Sequence, residues 1–182
     1  MQGNIKLSFY AKIETEYKES LMVIRPDGTI AGKSLLYFIE GIEEYCSKQL
    51  NSKGNMARAF SQLEKNTSMP ICELLQVFIN SYYVGDWDYE EDEYDFFLHR
   101  NPSLVVSRED FSKTLLQINE RWVDLKKLLW ATNQLLKIIM QANLEQPELY
   151  DFEDIIADVK GLINTLTFFD QRDVDEVRIK FI

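Results

Sequence analysis

The sequence has one histidine, two cysteines, four prolines and seven glycines in 182 residues, and each scarcity removes a class of protein. Cys46 and Cys72 show no paired spacing, so neither a disulfide framework nor a metal cluster is expected of them. Each lies among apolar neighbours in a helix-like segment, as a buried free thiol of a reducing compartment would. With His99 as the lone histidine and no G-x-S-x-G, the common hydrolytic triads and histidine-rich metal sites have little to build on. Apolar residues nowhere continue unbroken for the roughly 20 positions of a membrane-spanning helix. The start, Met1-Gln2-Gly3-Asn4, lacks the basic and apolar segments of an export signal, so a cytoplasmic protein without a membrane partner is expected.

What is present is an ordinary globular composition, 46% hydrophobic, 13% aromatic and 27% charged, in a chain long enough for one domain over residues 1–182. The net charge of -10 is unevenly spread. Residues 84–98 hold seven acids and no base, and residues 143–176 hold ten acids against Lys160 and Arg172, which leaves the remainder at +5. Acidic stretches repel nucleic acid, and the basic remainder argues against an acidic mimic of DNA.

Hydrophobic periodicity divides the chain. Ile5, Leu7, Phe9, Ala11, Ile13 and Tyr17 alternate with polar residues, the period of a half-buried strand. Leu21 to Ile24 forms a second β-like run before a Pro26-Asp27-Gly28 turn, so residues 1–31 read as a small antiparallel meander. Helices are expected within 34–84, with Ser34 as an N-cap and Pro70 as a helix start, and an acidic loop region over 85–106. Phe111, Leu115, Ile118, Trp122, Leu125, Leu129, Thr132, Leu136 and Ile139 recur at spacings of 4 and 3, which predicts one long helix over 107–142. A helix of that length spans roughly 54 Å, against roughly 40 Å for a compact domain of this size, so part of it should overhang or meet another chain. A further helix over 148–168 and a strand over 176–182 complete the reading. The strand shares the apolar, basic, apolar pattern of the first and should join its sheet. The expected fold is α+β, predominantly α-helical, a bundle around one long heptad-patterned helix with a small antiparallel sheet.

Four sets of residues invite a functional reading. Gly28 to Ser34 resembles a phosphate-binding loop in its Gly32-Lys33-Ser34 ending, but the first glycine of that pattern is replaced by Asp27, whose carboxylate would repel phosphate. A hairpin turn followed by a helix start accounts for it. Glu91, Asp95 and His99 are weak candidates for a metal site, because carboxylates with one histidine select poorly, and no metal or other cofactor is expected. Trp87, Tyr89 and Tyr94 stand among Asp86, Asp88, Glu90, Glu91, Asp92 and Glu93, joining aromatic anchors to a charge that steers basic partners. Finally, Phe111, Leu115, Ile118, Trp122 and Leu125 form a narrow seam suited to one partner helix, hence a possible homodimer. No catalytic constellation emerges, and the leading expectation is a non-enzymatic interaction protein of the inhibitor, immunity or adaptor type for a basic protein surface. The alternative is an enzyme or small-ligand-binding protein with a pocket in the helical body.

Overall fold

Alternation of Ile5, Leu7 and Phe9 with polar neighbours produces the first strand, β1 (Ile5–Ala11), and all three side chains are buried. These features come from a computed structural model, which describes residues 3–11, 18–46, 54–84, 107 and 122–181. β2 (Lys18–Met22) pairs antiparallel with β1, Lys6 opposite Met22 and Tyr10 opposite Lys18. Ile13 and Tyr17, expected to extend the first strand, lie outside the described residues. Beyond β2, Val23 and Ala31 hydrogen-bond each other and Ile5, and Ile24 bridges Ile30 across the predicted turn. Gly28 takes a φ of 90° there, and the Asp27 carboxylate accepts from both the amide and the hydroxyl of Thr29.

The C-terminal strand joins this sheet as its pattern predicts. β5 (Val174–Phe181) runs antiparallel to β1, with Ile5 opposite Phe181 and a bulge at Tyr10/Ala11, and buries Val177, Ile179 and Phe181 against the helices. Its other edge carries two short strands end to end: β3 (Tyr82–Val84), parallel, and β4 (Val123–Asp124), antiparallel. The order β2-β1-β5-β3 therefore places the two ends of the described chain at the centre of one five-stranded sheet.

Five helices are described: α1 (Lys33–Cys46), α2 (Asn55–Thr67), α3 (Ile71–Ser81), α4 (Leu125–Glu145) and α5 (Phe152–Asp170). Among the described residues the chain is thus α+β with helix dominant, as expected. The long helix, in contrast, is not continuous from 107 to 142. At Val123–Asp124 the backbone is extended and paired with β5, and α4 starts at Leu125 with Asp124 as N-cap, its carboxylate accepting from the Lys127 amide at 2.9 Å. Two strand residues between Trp122 and Leu125 do not disturb a 4,3 spacing, so the heptad pattern reads through the break. The 21-residue α4 extends roughly 32 Å and fits within one domain. Its buried residues, from Leu125 and Leu128 to Ile139 and Ala142, belong to the chain's own core.

The cysteines also differ from expectation. Cys46, the last residue of α1, and Cys72, in the first turn of α3, are joined as a disulfide with Cα atoms 5.6 Å apart. A separation of 26 residues hides the pair from sequence inspection, and packing of α1 on α3 through Ile42 and Ile71 brings it together.

Candidate binding groove

The groove lies where the first turns of α1 and α5 meet, and its position follows from one glycine and one aspartate. Gly32 precedes α1 with a φ of 147°, and a Cβ there would fall 2.1 Å from the Gly3 carbonyl oxygen and 2.6 Å from the Ile5 nitrogen. No side chain fits, so the glycine before Lys33 serves close packing of the helix start against β1. The N-terminal amide of Leu35, which a phosphate would use in a phosphate-binding loop, donates instead to Asp158 Oδ2 at 2.9 Å. Asp158 comes from α5, is fully buried, and takes Arg25 Nε on its other oxygen at 2.6 Å; Arg25 Nη1 reaches Asp154 at 3.2 Å. Burial works against the Arg25 charge, but the hydrogen bond to Asp158 and the charges of Asp158, Asp154 and Asp27 outweigh it and raise its pKa. The capping of α1 expected from Ser34 is thus supplied by an acid 123 residues later in the chain.

Above this junction opens a groove of about 500 Å³, walled by Lys33, Tyr37 and Glu40 of α1 and by Tyr150, Asp151 and Asp154 at the start of α5. Tyr150 is its fixed wall. Its ring meets Phe38, Phe152 and Tyr37 edge to face at centroid distances of 5.3, 5.9 and 5.4 Å. The hydroxyl lies over Gly41, where a Cβ would sit 2.1 Å from it, and burial, then Tyr37 and Glu44, push its pKa up. Tyr37 is 64% exposed and forms the open wall. Asp151 occupies the N-cap position of α5, yet its carboxylate makes no cap hydrogen bond.

Farther along α1, Glu43 is 2% exposed and its Oε1 has no hydrogen-bond partner. Burial first, then the neighbouring charge of Glu44, push its carboxyl up to about 9. A second, more apolar groove of about 400 Å³ runs between Met69, Pro70, Leu74 and Val77 on one side and Trp130 on the other.

Of the residues singled out in the sequence, Asp86, Trp87, Asp88, Tyr89, Glu90, Glu91, Asp92, Glu93 and Tyr94 lie outside the described residues, as do Asp95, His99, Phe111, Leu115 and Ile118. Among the described residues no group of three metal-ligating side chains occurs, and no helix is long and apolar enough to cross a membrane. Trp122 packs against Tyr10 with tilted rings, centroids 3.9 Å apart, and Arg178 lies 5.2 Å over its ring. Leu125 is wholly buried in the chain's own core. Sequence reading passed over Tyr37, Tyr150, Asp151 and Asp158, although one signal was present: Asp158 interrupts the apolar stripe Ile155, Val159, Leu162, where a carboxylate requires a partner.

This α+β chain, with a mixed five-stranded sheet and an acidic, tyrosine-walled groove, matches no known family, no curated protein and no solved structure.

Proposed function

We propose that the chain is a non-enzymatic interaction protein, of the inhibitor, immunity or adaptor type, that docks a basic protein partner on an acidic surface bearing aromatic side chains. The observation that carries this reading is the groove between α1 and α5, where Tyr37 and Tyr150 stand beside Asp151 and Asp154. Aromatic rings supply contact area at low entropic cost, and surrounding acids steer a positively charged partner toward them. The acidic, aromatic segment from Asp86 to Tyr94 repeats this combination in sequence and extends the same chemistry. Nucleic acid is not the proposed partner, because both acidic stretches would repel it.

Capture of a basic partner from the native cell, followed by titration with salt, tests the proposal. Binding should weaken steeply as salt rises, and reversing Glu90, Glu91 and Asp92 to lysine should weaken it further while the fold persists. Affinity that is indifferent to both salt and charge reversal would remove the docking reading.

The alternative, an enzyme or small-ligand-binding protein with a pocket in the helical body, is favoured by one observation: the Glu43 carboxyl is buried, its Oε1 has no hydrogen-bond partner and its pKa is raised, as in groups that catalytic sites contain. Self-association through the expected seam of Phe111, Leu115, Ile118, Trp122 and Leu125 remains a proposal for the residues other than Leu125, which the chain's own core buries, and sedimentation equilibrium at tens of micromolar decides it. The proposed cytoplasmic location stands against the Cys46–Cys72 bond, which oxidising compartments favour, and thiol titration of protein from its native source separates the two.

A further inference from the structure

Resting on the docking reading above, we infer that the groove is an arginine-binding site: a guanidinium from the basic partner stacks on Tyr37 and donates to Asp151, with Tyr150 as the rigid back wall. Three independent features of the site converge on this chemistry. The first is the carboxylate. Acids in the first turn of a helix are accounted for by its dipole, which explains Glu153 and Asp154, and an aspartate at the N-cap ordinarily accepts from the second or third amide. Asp151 holds the N-cap position without making that bond, and it lines the groove instead.

The second feature is the pair of rings. Tyr37 and Tyr150 meet at 76°, which makes a corner with two aromatic surfaces at nearly right angles. Tyr150 is held by Phe38 and Phe152, whereas Tyr37 is 64% exposed, a large apolar surface left in solvent. A planar cation covers such a ring and keeps its edge free for a carboxylate; an ammonium is a compact, strongly hydrated point charge that does only half of this.

The third feature is what the chain already does beside the groove. One turn beyond Asp151, Asp154 is engaged by the guanidinium of Arg25, so this end of α5 already accepts one arginine of the chain itself. Elsewhere Arg172 lies 3.3 Å over the Phe168 ring, an internal instance of the same stacking. With about 500 Å³ the groove accommodates more than one side chain, so the arginine would arrive on a segment of the partner and not as a free cation.

The test uses the full chain and a short blocked peptide carrying two arginines among glycines and serines, with its lysine counterpart, followed by NMR at low ionic strength. The arginine peptide should shift the signals of Tyr37 and Asp151, and the lysine peptide should bind at least about fivefold more weakly. Tyr37→Ala and Asp151→Asn should each weaken the arginine peptide about tenfold with the helical circular dichroism unchanged, whereas Glu153→Gln, an exposed acid outside the groove, should change it less than about twofold. Equal binding of the two peptides overturns the arginine assignment. If the peptide binds but Tyr37→Ala and Asp151→Asn keep the parent affinity, the groove is not the site, while the basic-partner reading stands. A peptide that shifts nothing overturns the site as well, and salt titration of the native partner then shows separately whether docking itself survives.

Discussion

Two acids are buried among the described residues, Asp158 on α5 and Glu43 on α1, and their surroundings differ in every respect that matters to a charge. Asp158 is met by Arg25 from the hairpin and by the Leu35 amide from the start of α1, so its two oxygens tie three elements together. Glu43 meets no donor at Oε1, has Glu44 beside it, and holds its proton up to about 9. Neither sequence neighbourhood reveals which acid is paired, because the partners of Asp158 lie 133 and 123 positions away. The α1–α5 junction is thus built around a charge, whereas the middle of α1 holds an acid whose burial favours the neutral form.

Removing the paired acid should do the most damage. Asp158→Ala leaves Arg25 partly buried without its main partner and the α1 amide without an acceptor, so a loss of about 3–5 kcal/mol is expected in urea unfolding. A loss below about 1 kcal/mol would mean that the junction does not depend on the charge.

Next comes the covalent tie. In the chain-entropy account, a bond across 26 residues contributes about 3–4 kcal/mol, and the Cys46→Ser, Cys72→Ser variant should unfold at correspondingly lower denaturant. An unchanged midpoint would show that packing of α1 on α3 suffices without it.

Glu43 sharpens the comparison from the opposite side. Its folded pKa is raised above the ordinary 4.5, so its contribution is fully present below about 4.5 and is lost progressively as pH rises to about 9. Glu43→Gln should therefore flatten the fall in stability across that window and be the more stable protein at pH 8, by several kcal/mol. Parallel stability curves for the two proteins would show that Glu43 ionises freely in the fold.

The smallest effect is expected at Lys33. With Asp158 occupying the helix start, Lys33→Ala should change stability by less than about 0.5 kcal/mol and alter no nucleotide binding measured by equilibrium dialysis. Loss of binding seen in the parent would restore the phosphate-loop reading of Gly28 to Ser34.

These residues also show how far the sequence was legible. Alternation in Ile5 to Ala11, the Pro26-Asp27-Gly28 turn and the repeated apolar, basic, apolar pattern at the C-terminus are local signals, and they yield the antiparallel β2-β1-β5 part of the sheet; the parallel β3 at Tyr82–Val84, where helix was expected, and β4 depend on the edge that β5 offers. What escaped depends on chain segments far apart. Val123–Asp124 becomes a strand because β5 offers an edge there, not because its own residues break the heptad. Likewise the cysteines pair, Asp158 caps a foreign helix, and Tyr37 meets Tyr150 only after α1 packs on α5. The groove was therefore invisible in sequence, while its chemistry, aromatic rings among acids, was already conspicuous in the segment from Asp86 to Tyr94.

Salt dependence of partner affinity, compared between the parent chain and the Tyr37→Ala, Asp151→Asn double variant, tests docking at this groove most directly. The parent should lose affinity steeply with salt, and the double variant should bind at least about thirtyfold more weakly with a shallower dependence, because one aromatic platform and one guiding charge are gone. Matching affinities and matching slopes for the two proteins would contradict the account.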